Sequence, residues 1–163
     1  MNYIMKLLGK FPSTRLRRNR KSDWSRRLTS ENNLSIDDLI LPVFLTEGKN
    51  ITSEIKSMPG VYRYSLDKLN YFIEKACKLK IPMVALFPHV ENQKKDVVGS
   101  ESLNPENLVC RAIRQIKKKF NNIGIMCDVA LDPYTSHGHD GILSGNEIHN
   151  DKTNKILIKQ SLI

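Results

Sequence analysis

The chain has 163 residues, 40% of them hydrophobic, and a formal net charge of +9, which is enough apolar material for one domain's core and excludes a peptide or a coil. Cys77, Cys110 and Cys127 are odd in number and lack C-x-x-C spacing, which argues against a disulfide framework or structural zinc and for free thiols in a reducing cytoplasm. No apolar run approaches the roughly 18 residues of a membrane span, and residues 1–8 are too short and interrupted for a secretory signal, so a soluble cytoplasmic protein without membrane contact is expected.

The charge is uneven along the chain. Within residues 1–27, nine Lys or Arg stand against Asp23 alone, a local +8, and the remainder is nearly neutral. Such a stretch can bind nucleic acid, but it lacks the interleaved aromatics of a stacking platform, Trp24 being the only nearby candidate. Nucleic acid is therefore not the expected partner. Residues 1–35 read as an extended basic arm that stays solvated or packs on a partner subunit.

Asp38-Leu-Ile-Leu-Pro-Val-Phe-Leu45 is a continuous apolar run and predicts a strand buried on both faces, with Pro42 as its one blemish. A polar connection closes on a Pro-Gly turn at Pro59-Gly60. From Ser65 as N-cap, Leu66, Leu69, Ile73 and Ala76 keep helical spacing and predict an amphipathic helix over 66–80. Met83-Val-Ala-Leu-Phe87 predicts a second buried strand, stopped by Pro88. Residues 89–102 form a polar loop in which His89, Lys94 and Lys95 read as exposed. Asn104-Pro105-Glu106 supplies a cap, a proline at the first helical position and an acidic first turn, so a helix is expected from there to about Lys119. Residues 124–131 predict a third strand, and Asn150 or Asp151 caps a last helix that contains Ile156, Leu157 and Ile158 and has no stop signal.

Alternating strands and helices at roughly 40-residue spacing predict βαβ units and a parallel sheet with two bare edges and helices outside. A (β/α)8 barrel needs about 250 residues. The pattern therefore reads as the N-terminal part of a larger barrel, about three βα units over 36–163, or else as a small open α/β fold; the unfinished last helix favours the barrel.

The densest chemistry lies in Asp128-Val-Ala-Leu-Asp132-Pro-Tyr-Thr-Ser-His137-Gly-His139-Asp140-Gly141. It follows an apolar β-type run and gathers three carboxylates and two imidazoles where a strand opens into a loop, the edge at which α/β proteins bind ligands. Ordinary turn chemistry accounts for Asp, Gly and Pro in such a loop as well. Asp128, inside the predicted strand, is either a structural salt-bridge partner or a substrate contact. His137 and His139 lack a third ligand and read as loop hydrogen-bonding residues, and Cys127 as a core thiol.

Several ordered motifs resemble the N-terminal part of the porphobilinogen synthase, or δ-aminolevulinic acid dehydratase, family. They are Arg15-Leu-Arg-Arg18 with Trp24 and Arg27, the run from Asp38 through Thr46-Glu47-Gly48, Ser57-Met-Pro-Gly-Val61, and Leu86-Phe-Pro88. Gly99-Ser-Glu101 with Asn104-Pro105, the aspartate-rich loop, and Asn150-Asp151 with Thr153 complete the set. The resemblance implies a (β/α)8 barrel, a homo-oligomer built through N-terminal arms, and the condensation of two 5-aminolevulinate molecules to porphobilinogen with loss of two waters in haem and tetrapyrrole biosynthesis. In that family two lysines form Schiff bases with substrate. Neither lysine motif is present in these 163 residues.

Zinc-dependent members of the family hold three cysteines at the positions of Ala130, Asp132 and Asp140. Carboxylates there suit hard cations rather than zinc. Zinc is not expected; Mg2+ or a monovalent cation, held through water by Asp132 and Asp140, is. Asp128, Asp132 and Asp140 are by analogy the supporting catalytic residues, holding a substrate amine and steering protons. The expectation is a porphobilinogen synthase segment inactive by itself; the alternative is a non-catalytic relic or subunit-interaction module.

Overall fold

The computed structural model describes residues 9, 10, 12, 14 and 17–163, and by its contacts the chain falls into two units, Met1–Ser35 and Ile36–Ile163. Residues 1–8, with Lys6, and also Arg15 and Leu16 lie outside the described residues, so that part of the basic stretch and of the Arg15-Leu-Arg-Arg18 motif carries no structural statement. In the rest of the first unit Arg18–Arg20 form a 3-10 turn and Asp23–Leu28 a short helix, α1. Ser25, within this helix, is buried and donates from Oγ to the carbonyls of Asn19 at 3.1 Å and Ser22 at 3.0 Å. Asp23, in the first turn, pairs with Arg27 one turn on at 3.2 Å, the favourable acid-before-base order.

In the second unit the elements run β1 (Ile40–Leu45), β2 (Thr52–Glu54), β3 (Tyr62–Tyr64), α2 (Leu66–Lys78), β4 (Met83–Pro88), α3 (Leu108–Lys119), β5 (Gly124–Cys127), β6 (Leu143–Ser144), β7 (Glu147–Ile148) and α4 (Asn150–Gln160). The sheet order is β2-β3-β1-β4-β5, with β1, β4 and β5 parallel in sequential βαβ fashion. This is the predicted mixed α/β architecture. The β2-β3 hairpin was not predicted: β3 lies parallel to β1, so β1 is not a bare edge. Its turn is the expected one. Val61 donates to the Met58 carbonyl at 3.0 Å, and Gly60 at φ 79° takes the left-handed position that a type II turn requires.

The expectation that β1 is buried on both faces is corrected. Val43 and Leu45 are buried, whereas Ile40 and Pro42 on the other face are exposed. The buried side, with Val84 and Leu86 of β4, packs on Leu69, Ile73 and Ala76 of α2 and Leu108, Ala112 and Ile116 of α3. These helical positions recur three or four residues apart because one stripe of each helix meets the sheet. Pro42 is tolerated because β3 reaches only Phe44 and Leu45; beside Pro42, β1 has no neighbour on that side, and a missing N–H costs nothing there.

Three predicted boundaries also change. The third strand ends at Cys127, not Leu131, because the Leu131 N–H goes to the Asp140 carboxylate and its carbonyl accepts from Tyr134 and Thr135. The cap of α3 is Asn107, whose Oδ1 accepts from Cys110 N at 2.9 Å; Asn104 instead closes the preceding turn by accepting from Glu106 N at 2.9 Å. The cap of α4 is His149 rather than Asn150 or Asp151. Ser65 does stand at the N-cap of α2, but its hydroxyl donates to Asp67 at 2.7 Å and ties the helix start to Ile51 instead of capping it. No helix among the described residues is long and apolar enough to cross a membrane.

Candidate active site

β1, β4 and β5 end together, and the chain leaves each of them on the same edge of the sheet. Strand registry then decides which side chains share a face. Phe44 pairs with Arg63 of β3 and with Phe87 of β4, while Leu86 pairs with Cys127. One step on, Asp128 follows β5 opposite Phe87, so Arg63, Phe44, Phe87 and Asp128 form one row on the face away from the helices. Phe44 and Phe87 stack with ring centroids 5.6 Å apart. Above this row lies a cavity of about 320 Å3 lined by these four side chains together with His89, Lys95, Asp132 and Tyr134.

The structure thus brings two of the three sequence-predicted aspartates, Asp128 and Asp132, to one cavity. Both are exposed, and among the described residues neither makes an ion pair. The salt-bridge alternative for Asp128 is therefore not what is seen. Partial burial, then the Asp140 and Asp128 charges, push the Asp132 carboxyl above its ordinary range. Asp140 is placed differently: its Oδ1 accepts from Leu131 N at 2.6 Å and so pins the aspartate loop's own backbone.

The histidines serve the loop as well. Nε2 of His137 meets the Val97 carbonyl at 3.3 Å, and its Nδ1 accepts from His139 N at 3.2 Å. This contact belongs to a wider seam between the loops after β4 and β5. Asp96 and Thr135 form an isolated parallel bridge, Ser136 N donates to the Asp96 carbonyl at 2.9 Å, and the Asp96 carboxylate accepts from Val98 N, Ser100 N and the Ser100 hydroxyl. The Ser100 hydroxyl, ahead of the backbone donors, holds the Asp96 carboxyl below its usual range. Burial pushes the Cys127 thiol up to about 11, with Cys110 adding to it, so Cys127 is a protonated, half-buried thiol.

Sequence reading missed Arg63 and treated His89 and Lys95 as plain loop residues. Arg63 sits on a three-residue strand too short to leave a periodic signal; His89 directly follows β4, its N–H held by the Leu45 carbonyl at 2.8 Å, and Lys95 adjoins the Asp96 seam. Lys94 does follow the surface reading, pairing with Glu47 at 2.7 Å. Arg111 joins the same carboxylate at 2.5 Å.

No three His, Cys, Asp or Glu side chains among the described residues come together as ligands of one metal ion. Within the aspartate loop one Asp140 oxygen is already engaged by Leu131 N. The loop's chemistry is that of paired carboxylates beside an aromatic floor.

The family model described as delta-aminolevulinic acid dehydratase matches residues 13–163. Delta-aminolevulinic acid dehydratase of Bradyrhizobium diazoefficiens is 53% identical over 91% of this chain and 42% of its own length. The Chlamydia pneumoniae protein is 47% identical over 88% of the chain and 43% of its own length, and that of Ruminiclostridium josui 40% identical over 91% and 71%. The chain thus spans less than half the length of the first two relatives. A crystal structure of the Toxoplasma gondii enzyme in complex with its product porphobilinogen superposes with a TM-score of 0.83 at 39% identity, over 91% of this chain and 43% of that one. The chain belongs to the delta-aminolevulinic acid dehydratase, or porphobilinogen synthase, family.

Proposed function

We propose that this chain forms one side of the active site of a porphobilinogen synthase, with β1, β4 and β5 as the first strands of a (β/α)8 barrel and the cavity at their ends as part of the mouth that receives 5-aminolevulinate. The observation that carries this is the convergence of Asp128 and Asp132 on a cavity at the C-terminal edge of the parallel strands, where barrel enzymes keep their chemistry. The two carboxylates receive the substrate's ammonium group, and Asp132, already biased toward its protonated form, passes protons during the loss of water. Asp140 acts through Leu131 as a positioning residue. Any hard cation at this mouth is held through water by Asp132 and Asp140. Imine-forming amines come from beyond the matched part of the family, and residues 1–35 serve contacts between subunits in a homo-oligomer. Free Cys77, Cys110 and Cys127 suit a reducing cytoplasm.

The test is to incubate the purified chain with 5-aminolevulinate, assay porphobilinogen, and reduce with borohydride. The expected result is neither product nor a labelled lysine, while amide resonances of 128–135 move on titration with substrate. Turnover by this polypeptide alone, or shifts confined to another surface, would refute the reading.

A further inference from the structure

The inward stripe of α4 is Thr153, Ile156, Leu157 and Gln160, the spacing of one helical face, yet both ends of that stripe are polar. Gln160 Nε2 donates to the Ala130 carbonyl at 3.1 Å. Thr153 Oγ1 accepts from Ile142 N at 2.9 Å and donates to the His149 carbonyl at 3.0 Å. These contacts fall at the two ends of the aspartate loop, and the two side chains that make them stand seven residues apart, two helical turns or about 10 Å along the axis. One rigid element thus grips the loop where it begins and where it closes.

The Ala130–Leu131 peptide is held from both sides. Its carbonyl accepts from Gln160, and its N–H donates to Asp140 Oδ1 at 2.6 Å. The following carbonyl, that of Leu131, accepts from Tyr134 N and Thr135 N, both at 2.9 Å, and the Leu131 side chain is fully buried. With these groups engaged, the backbone ahead of Asp132 has little freedom to turn the carboxylate out of the cavity. At the far end a Cβ on Gly141 would meet Ile148 Cγ2 at 2.7 Å and Thr153 Oγ1 at 3.1 Å, so glycine is what lets α4 come this close. Packing alone does not account for Gln160: its Oε1 is buried and has no partner among the described residues, and an unmet buried acceptor is unfavourable. A leucine would complete the stripe without that cost.

We infer that Gln160 is a positioning residue, which with Asp140 fixes the Ala130–Leu131 peptide and with Thr153 makes α4 the brace that presents Asp132 to the cavity. This rests on the proposed function, in which Asp132 meets the substrate, and extends the site to a helix that touches no substrate.

Gln160→Leu, which fills the same space without a donor, separates positioning from packing. In the isotope-labelled chain the expected result is an unchanged unfolding midpoint, unchanged amide exchange at Val84 and Ile116 in the core, and exchange at Leu131 about tenfold faster, the loss of one hydrogen bond. The affinity for 5-aminolevulinate, read from amide shifts at 128–135, falls by a similar factor. Gln160→Lys keeps an N–H donor and suits a helix C-terminus, so it recovers part of both losses. Thr153→Val speeds exchange at Ile142 instead and also weakens 5-aminolevulinate. Equal Leu131 protection in the parent chain and Gln160→Leu overturns the brace. So does a lower midpoint with protection lost evenly through the sheet, since Gln160 then serves packing alone. Faster Leu131 exchange with unchanged affinity for 5-aminolevulinate overturns the positioning role while the proposed function stands. A parent chain whose amides 5-aminolevulinate does not move removes the proposed function and this role with it.

Discussion

Asp132 is a carboxylate whose surroundings work against its charge, and that has a consequence for folding as well as for chemistry. Its pKa in the folded chain lies above the ordinary 3.8 because of desolvation and the nearby Asp140 and Asp128. The native state therefore holds the proton more tightly than the unfolded chain, and stability falls as pH rises through the folded pKa. Asp132→Asn removes that repulsion, so at neutral pH the variant is more stable, by on the order of 0.3 kcal/mol once solvent screening of an exposed group is counted. Paired thermal melts at pH 7 and at pH 3 check this: the gain at neutral pH shrinks in acid. Glu47 has the opposite sign. Burial alone raises its carboxyl, but Arg111 and Lys94 outweigh it and leave the pKa below the ordinary 4.5. Its contribution is present above pH 4.5 and is lost as pH falls through the lower folded value. Glu47→Gln costs about 2 kcal/mol at pH 7, since two charge-assisted bonds lose their anion, and that cost diminishes in acid. A pH-independent loss in urea titrations contradicts the assignment.

Helix α3 shows how a local signal can be read one turn out of place. Asn104-Pro105-Glu106 has the composition of a helix start, yet the Asn104 side chain is spent on Glu106 N, and Asn107 takes the cap. Asn107→Ala costs about 1 kcal/mol of stability, as for other lost N-caps, and Asn104→Ala costs less because its bond to Glu106 N is exposed whereas that of Asn107 to Cys110 N is buried; equilibrium denaturation of the two variants ranks them. The same locality decides what else was legible. Helix α2 and strands β1 and β4 were readable because Leu69, Ile73 and Ala76, and the runs ending in Leu45 and Phe87, carry their periodicity within themselves. β5 was read as a strand too, but carried past Cys127, where it ends; β3, three residues long, exists through its partners and was not read at all. Asp128 and Asp132 were recognisable as site residues from their density after an apolar run. Arg63 and Lys95 were not, since only strand registry and the Asp96 seam bring them to the cavity.

For the second unit as a whole, the sheet has one covered face and one open one. The helices bury Val43, Leu45, Val84 and Leu86, but on the opposite face Ile40 is 45% and Met126 44% exposed. β5 is also an edge strand with its outer backbone groups unpaired by any described strand. An apolar face beside an unpaired parallel edge is a template for association. The polypeptide of residues 1–163 is accordingly expected to self-associate at micromolar concentration and to bind a hydrophobic dye. Met126→Lys places a charge on both the edge and the open face, at a side chain 44% exposed, so it lowers association with little change in the unfolding midpoint. Ile73→Ala, on the covered face, costs about 2–5 kcal/mol instead and exposes more apolar surface. Sedimentation velocity of the three proteins separates the cases. If Met126→Lys leaves the association unchanged, the open face is not the surface through which copies meet.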